Sequence, residues 1–129
     1  MRVLLDTHVL LWALRDPDSL SPAATALLAD PATELLVSAA TAWEIATKHR
    51  IGKLPDAEPL LLGYEGHLSR LGARELPIAS RHALAAGSLE WAHRDPFDRV
   101  IAAQSILEGV PLVSRDAAFV SLPSLRVLW

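Results

Sequence analysis

The chain has 129 residues, 51% of them apolar and 21% charged, which suits one compact domain over residues 1–129 and excludes a disordered or low-complexity polypeptide. It contains five histidines and no cysteine, so disulfides, thiolate metal sites and a cysteine nucleophile are all excluded. A net charge of −3 excludes nucleic-acid binding by bulk charge alone, so a polyanionic ligand would need a bound cation and local Lys or Arg clusters.

The first four residues after Met1, Arg2 to Leu5, read as a buried strand. Asp6 and His8 interrupt that apolar run before it reaches the length of a signal segment, and the expected location is cytoplasmic. A helix follows through Val9 to Leu14 and stops near Asp16-Pro17, where proline disfavours helix in the residue before it. Ser21 caps the next helix with Pro22 at its first position, and Asp30-Pro31 closes it. Glu34 to Val37 is the second strand. Ser38 then caps a helix through Trp43, Ile45 and Ala46 that ends near Gly52. A Leu-rich helix is expected from Leu60 to Leu71, a strand from Glu75 to Ile78, and a helix through Leu84 to Gly87. Asp95-Pro96 opens a helix that ends at Gly109, and strands at Pro111–Ser114 and Leu125–Leu128 complete the chain. Strands separated by helices imply an α/β fold, a mostly parallel sheet with helices on both faces. Ligands of such sheets bind beyond the carboxyl ends of the strands.

That rule sorts the acids. Asp16, Asp30 and Asp56 lie beside prolines in turns, whereas Asp6 and Asp116 each follow a strand at the ligand-binding edge. Asp6 also suits a helix cap, and Asp116 suits the cap of a short last helix. Glu44 precedes Lys48 by four residues, the spacing of a surface ion pair, but it stands between Trp43 and Ile45 in a weakly polar helix. Asp95 as N-cap, Pro96 at the first position and Asp98 at the third make a good helix start. Asp98 also shares a helix face with Ala102, Ala103 and Ile106, which aims it inward. Converging carboxylates repel one another and resist desolvation, so four of them together read as the ligands of a divalent cation. An all-oxygen set favours Mg2+ or Mn2+. Repulsion alone predicts that Glu44→Gln stabilises the metal-free chain.

The histidines show no zinc-binding spacing, and His93, two residues before Asp95, reads as a solvated loop residue with some reach toward a phosphate. Thr7 and Ser114 read as local backbone partners. Neither a glycine-rich phosphate loop nor a Gly-x-Ser-x-Gly turn is present.

Four segments recur in a telling order: Leu4-Leu5-Asp6-Thr7-His8; Ser38 to Ile45 with Lys48 and Gly52-Lys53-Leu54; Asp95-Pro96-Phe97-Asp98-Arg99 with Ile101 to Gln104; and Ser114-Arg115-Asp116. Together they span the chain, and it resembles the PIN-domain ribonucleases, specifically the VapC-type toxins of bacterial toxin-antitoxin pairs. The resemblance implies a PIN-like sheet of about five parallel strands with the first near the centre. It carries metal binding onto Asp6, Glu44, Asp98 and Asp116, with Asp95 as an alternative or supporting ligand. It implies RNA as substrate with a 5′-phosphate product, homodimers, and inhibition by a VapB-like antitoxin that lays an apolar segment in a groove. The surplus of apolar residues among Leu60, Leu61, Leu62, Tyr64, Leu68 and Leu71 reads first as core and second as such a partner surface. Lys48, Arg50, Lys53, Arg99 and Arg115, with Arg15 nearby, are the candidates for holding RNA phosphates. Two rivals stand beside this reading: a catalytically silent PIN-like module, and a magnesium-binding receiver domain, which needs a late lysine where none follows Lys53.

Overall fold

The computed structural model describes residues 1–129. Five strands, β1 (Arg2–Leu5), β2 (Glu34–Ser38), β3 (Ala73–Leu76), β4 (Leu112–Val113) and β5 (Val127–Leu128), form one parallel sheet in the order β3-β2-β1-β4-β5. Between them run α1 (Thr7–Arg15), α2 (Pro22–Ala29), α3 (Ala39–Arg50), α4 (Glu58–Leu61), α5 (Tyr64–Leu71), α6 (Ser80–Ser88) and α7 (Pro96–Glu108). No helix is long and apolar enough to cross a membrane.

β1 is central because Val3, Leu4 and Leu5 have apolar partners on both faces. Val3 and Leu5 join Val9, Leu10, Ala24 and Ile45 in one core layer, while Leu4 joins Ala40, Ile101, Ala102 and Phe119 in the other. A strand buried on both faces reads as a continuous apolar run, which is why the alternation that marks a half-exposed strand is missing here. Leu4 pairs with Leu36 of β2 and Leu112 of β4, so one side-chain layer crosses the sheet at that level.

The helix starts follow their caps. The Ser21 and Ser38 hydroxyls each accept a backbone N–H at 3.0 Å, from Ala24 and Ala40. Gly109, with φ of 65°, ends α7 in the left-handed conformation that glycine adopts without strain.

Three expectations change. The helix expected over 60–71 is two helices, because Leu62 turns out to an extended conformation and Gly63 takes a left-handed φ of 70°. Of its apolar residues, Leu60 and Leu68 are buried and Leu61, Tyr64 and Leu71 pack against the core, leaving Leu62 69% exposed. Core packing therefore accounts for all but one. The third strand lies two residues earlier than expected: Gly72 caps α5, pairing begins at once with Ala73, and Pro77 has no N–H to continue the ladder. β4 and β5 pair over only two residues each, shorter than their apolar runs.

Candidate active site

β1 delivers Asp6 to the carboxyl edge of the sheet, where it is 3% exposed. It occupies the N-cap position of α1, yet its side chain caps nothing. The Asp6 backbone N–H instead donates to Val113 O at 3.0 Å, extending the β1–β4 pairing by one residue. This register sets Ser114 beside it, and the Ser114 hydroxyl donates to Asp6 Oδ2 at 2.8 Å. The same hydroxyl accepts the Asp116 N–H at 3.0 Å, so one serine joins both post-strand acids.

α3 follows β2 directly and brings Glu44 to this edge, 2% exposed. The Thr7 hydroxyl donates to Glu44 Oε1 at 2.7 Å and lies 3.0 Å from the Thr41 hydroxyl. Lys48 donates to Glu44 Oε2, so the pair suggested by the four-residue spacing does form, but on a buried carboxylate. Burial opposes the Lys48 charge; even so its pKa is raised, because the hydrogen bond and charge of Glu44, then Asp95 and Asp98, outweigh it.

α7 supplies the third corner. Asp95 caps it, its Oδ1 accepting from the N–H groups of Phe97 at 2.9 Å and Asp98 at 3.3 Å. The Asp98 side chain is 13% exposed and meets His93 Nε2 at 2.7 Å through Oδ2. One ligand atom from each of His93, Asp95 and Asp98 lies within 4.8 Å of the others. His93 is thus a partner of the acid cluster and not a free loop residue. Arg99 holds its loop in place by donating to four backbone carbonyls, those of Ala86, Leu89, Trp91 and His93, at 2.6–3.0 Å. Four of its five N–H donors are thereby used inside the protein.

Asp116 differs from the rest. It is exposed, and its Oδ1 accepts the Ala118 N–H at 2.9 Å, the local cap that its position suggests. It borders a cleft of about 310 Å³ shared with Asp6, His8, Trp12 and Arg115. Among the expected phosphate-holding residues, Arg50, Lys53 and Arg115 are exposed. Lys48 and Lys53 line a second cleft with Thr7 and His8.

Charge links the buried acids. Burial pushes the Asp98 carboxyl up to about 6, with the negative charges of Asp95, Asp6 and Glu44 adding to it and the His93 hydrogen bond opposing. Burial likewise raises Asp6, against the Ser114 hydrogen bond and the charge of His8, with Glu44 adding to the rise. Asp6 and Asp98 therefore both feel the charge of Glu44. Desolvated carboxylates that repel one another have the chemistry to hold a divalent cation through oxygen.

Sequence reading named Thr7, Ser114, His93 and Arg99 but gave them other roles: local backbone partners, a solvated loop histidine and a phosphate-holding arginine. Thr7 and Ser114 stand one or two residues from an acid at a strand end, a signal that was present, but their partners lie 37 and 108 positions away.

The PIN-domain family model matches residues 3–125. Ribonuclease VapC22 of Mycobacterium tuberculosis is 32% identical over 117 residues, which span 88% of this chain and 86% of that protein. Ribonuclease VapC16 of the same organism is 39% identical over 57 residues, 44% of this chain and 40% of that relative. Solved structures share the fold at low identity. The crystal structure of VapBC2 from Rickettsia felis bound to a promoter DNA fragment superposes with a TM-score of 0.72 at 19% identity, covering 99% of this chain and 98% of that one. FitAcB from Neisseria gonorrhoeae gives 0.67 at 20% identity, covering 98% and 96%. The receiver-domain alternative falls with these matches. A family model spanning nearly the whole sequence and a relative aligned along most of both chains lead to one assignment: this chain belongs to the PIN-domain family, among its VapC-type members.

Proposed function

We infer that this chain is a metal-dependent endoribonuclease, the toxin of a bacterial toxin-antitoxin pair, acting as a single cytoplasmic domain on RNA phosphodiester bonds. The observation that carries this reading is the set of mutually repelling carboxylates at the sheet's carboxyl edge, Asp6 and Glu44 buried and Asp98 raised to about 6 by burial and its neighbours. The two relatives bearing the name ribonuclease support it.

Asp6, Glu44 and Asp98 would hold Mg2+ or Mn2+, with Asp95 and Asp116 at the margin. When bound, the cation lowers the pKa of a water and offsets charge growing on the phosphate. The chain's own part is to hold the acids ready. Ser114 orients Asp6, Thr7 and Lys48 orient Glu44, and His93 orients Asp98, as supporting hydrogen bonds do at metal sites. Lys48, Arg50, Lys53 and Arg115 are the residues assigned to the RNA backbone. Arg99 has little capacity left for it.

An antitoxin partner is supported by neighbours that are toxin-antitoxin complexes, among them one from Klebsiella pneumoniae with a TM-score of 0.61 at 21% identity. Exposed Trp43, in edge-to-face contact with Phe97 at 4.5 Å, and exposed Leu62 and Leu84 offer apolar surface for that partner or for a second copy in a homodimer.

The test is cleavage of labelled RNA by purified protein in Mg2+, in Mn2+ and in EDTA. Cutting should require the cation and yield 5′-phosphate ends. Activity undiminished in EDTA, or in Asp6→Asn protein, would overturn the reading.

A further inference from the structure

Three clefts meet at His8. The first, about 310 Å³, has Asp6 and Asp116 on one side and Trp12 and Arg115 on the other. The second, about 340 Å³, passes Trp12 to Arg15 and Leu54. The third, about 240 Å³, passes Thr7 to Lys48 and Lys53. The acid cluster therefore opens onto a branched groove whose arms end in cations.

Of these cations only Lys48 is committed. Arg2 and Arg74 pair with Glu34, Arg81 with Glu108 and Lys48 with Glu44, and Arg99 binds carbonyls. Arg15, Lys53 and Arg115 make no ion pair or side-chain hydrogen bond in the protein. The Arg115 guanidinium stands 5.9 Å from the Trp12 ring centroid, and the His8 ring stands 5.9 Å from the same ring. A planar base sandwiched between two stacked groups needs about 7 Å, twice a van der Waals contact. Arg115 is exposed and need move only slightly to admit one. Trp12 packs against Trp129 at 5.8 Å between ring centroids and against the core, which limits the movement of its ring. A tryptophan serving the core alone requires neither a free guanidinium over its ring nor a carboxylate across the cleft.

We propose that the cleft between Asp6 and Trp12 is a nucleotide subsite. It stacks the unpaired base next to the scissile phosphate on Trp12, beneath the Arg115 guanidinium, whose charge also offsets that nucleotide's phosphate. The proposal rests on the ribonuclease reading and deepens it, for it names the side chains that would take one unpaired nucleotide beside the acids. In a duplex the base is already stacked and its face is unavailable to an aromatic side chain.

The probe is a single-stranded oligoribonucleotide carrying one 2-aminopurine, whose fluorescence falls when the base stacks on an indole. It is titrated with the full chain in EDTA and in Ca2+. Quenching should appear for one position of the label and be absent for the same sequence in a duplex. Trp12→Leu should abolish the quench and weaken binding about fivefold to a hundredfold, and Trp12→Phe should retain part of the affinity. Arg115→Ala should keep the quench but lower the slope of log affinity against log salt by about 0.7. A quench that survives in folded Trp12→Leu protein, or equal binding of the duplex, overturns the proposal. If Trp12→Leu does not fold, Arg115→Ala decides, and an unchanged salt slope overturns it. Failure of wild-type protein to cut in Mg2+ or Mn2+ sinks the ribonuclease reading separately, because the quench is read without cleavage.

Discussion

Asp6 and Asp116 both follow strands at the carboxyl edge of one sheet, and they end in opposite environments. Asp6 is 3% exposed and takes its hydrogen bond from Ser114, 108 residues away, whereas Asp116 is exposed and caps Ala118, two residues away. The cause is sheet position. Asp6 leaves the central strand between two helical layers, while Asp116 leaves a two-residue strand one place from the edge. A carboxylate fixed by remote partners cannot relax when the site is disturbed, and one held by its own backbone turn can. The buried floor should therefore carry the chemistry, with the rim adjusting it.

Paired substitutions are the sharpest way to break that contrast. Asp6→Asn should lower RNA cleavage about a hundredfold or more, since it removes a fixed anionic group from the site. Asp116→Asn should cost about tenfold, as a group supporting the site does. Rates measured under single-turnover conditions at saturating Mg2+ give the ratio directly. Equal losses would put Asp116 on the floor with Asp6.

Arg99, in the first turns of α7, tests whether the loop it braces can belong to the rigid class. Its fork braces the segment that carries His93, so Arg99→Lys should lower stability by about 2–4 kcal/mol, because a lysine leaves partly buried carbonyls unmet. Urea unfolding measures this. An unchanged midpoint with weakened RNA binding would return Arg99 to the phosphate-holding set.

Glu44→Gln probes the floor itself. Repulsion among the acids predicts a gain in metal-free stability, but direct contact with Lys48 outweighs repulsion from carboxylates Glu44 does not touch. The expected change in EDTA is therefore a loss of about 1–2 kcal/mol, discounted because Lys48 is partly exposed. A higher melting temperature would restore repulsion as the dominant effect.

The division between what could be read from sequence and what could not follows the same contrast. Apolar runs, serine caps and Pro-opened helices are local, and they placed β1, β2, α2, α3 and α7 and the acids beside them. The split at Gly63 was missed because Gly63 lies inside a Leu-rich stretch whose apolar content mimics one continuous helix, and the early start of β3 because the chain pairs directly after the Gly72 cap, without the loop that was expected there. Ser114 and Thr7 looked like local partners because their real ones are set by β1–β4 register and by the docking of α3, which no short window contains. His93 faces Asp98 where Arg99, from α7, also ties down the His93 carbonyl, a contact no short apolar pattern announces.

The smallest effect concerns Asp98, which sits between floor and rim. Its folded pKa of about 6 stands above the unfolded value of 3.8, so between these limits the native state holds more protons than the unfolded chain. Stability from this group is then greatest below pH 4, falls as pH rises, and is level above pH 6. The full shift corresponds to about 3 kcal/mol, and coupling to Asp95, Asp6 and Glu44 reduces the expected loss to about 1–2 kcal/mol. Other groups titrate in the same window, so the quantity to measure is the difference between wild-type and Asp98→Asn protein in EDTA. The wild-type curve should fall more steeply from pH 4 to pH 6, and Mg2+ should remove the excess slope by favouring the carboxylate. Parallel curves would mean that Asp98 is solvated like Asp116 and belongs to the rim.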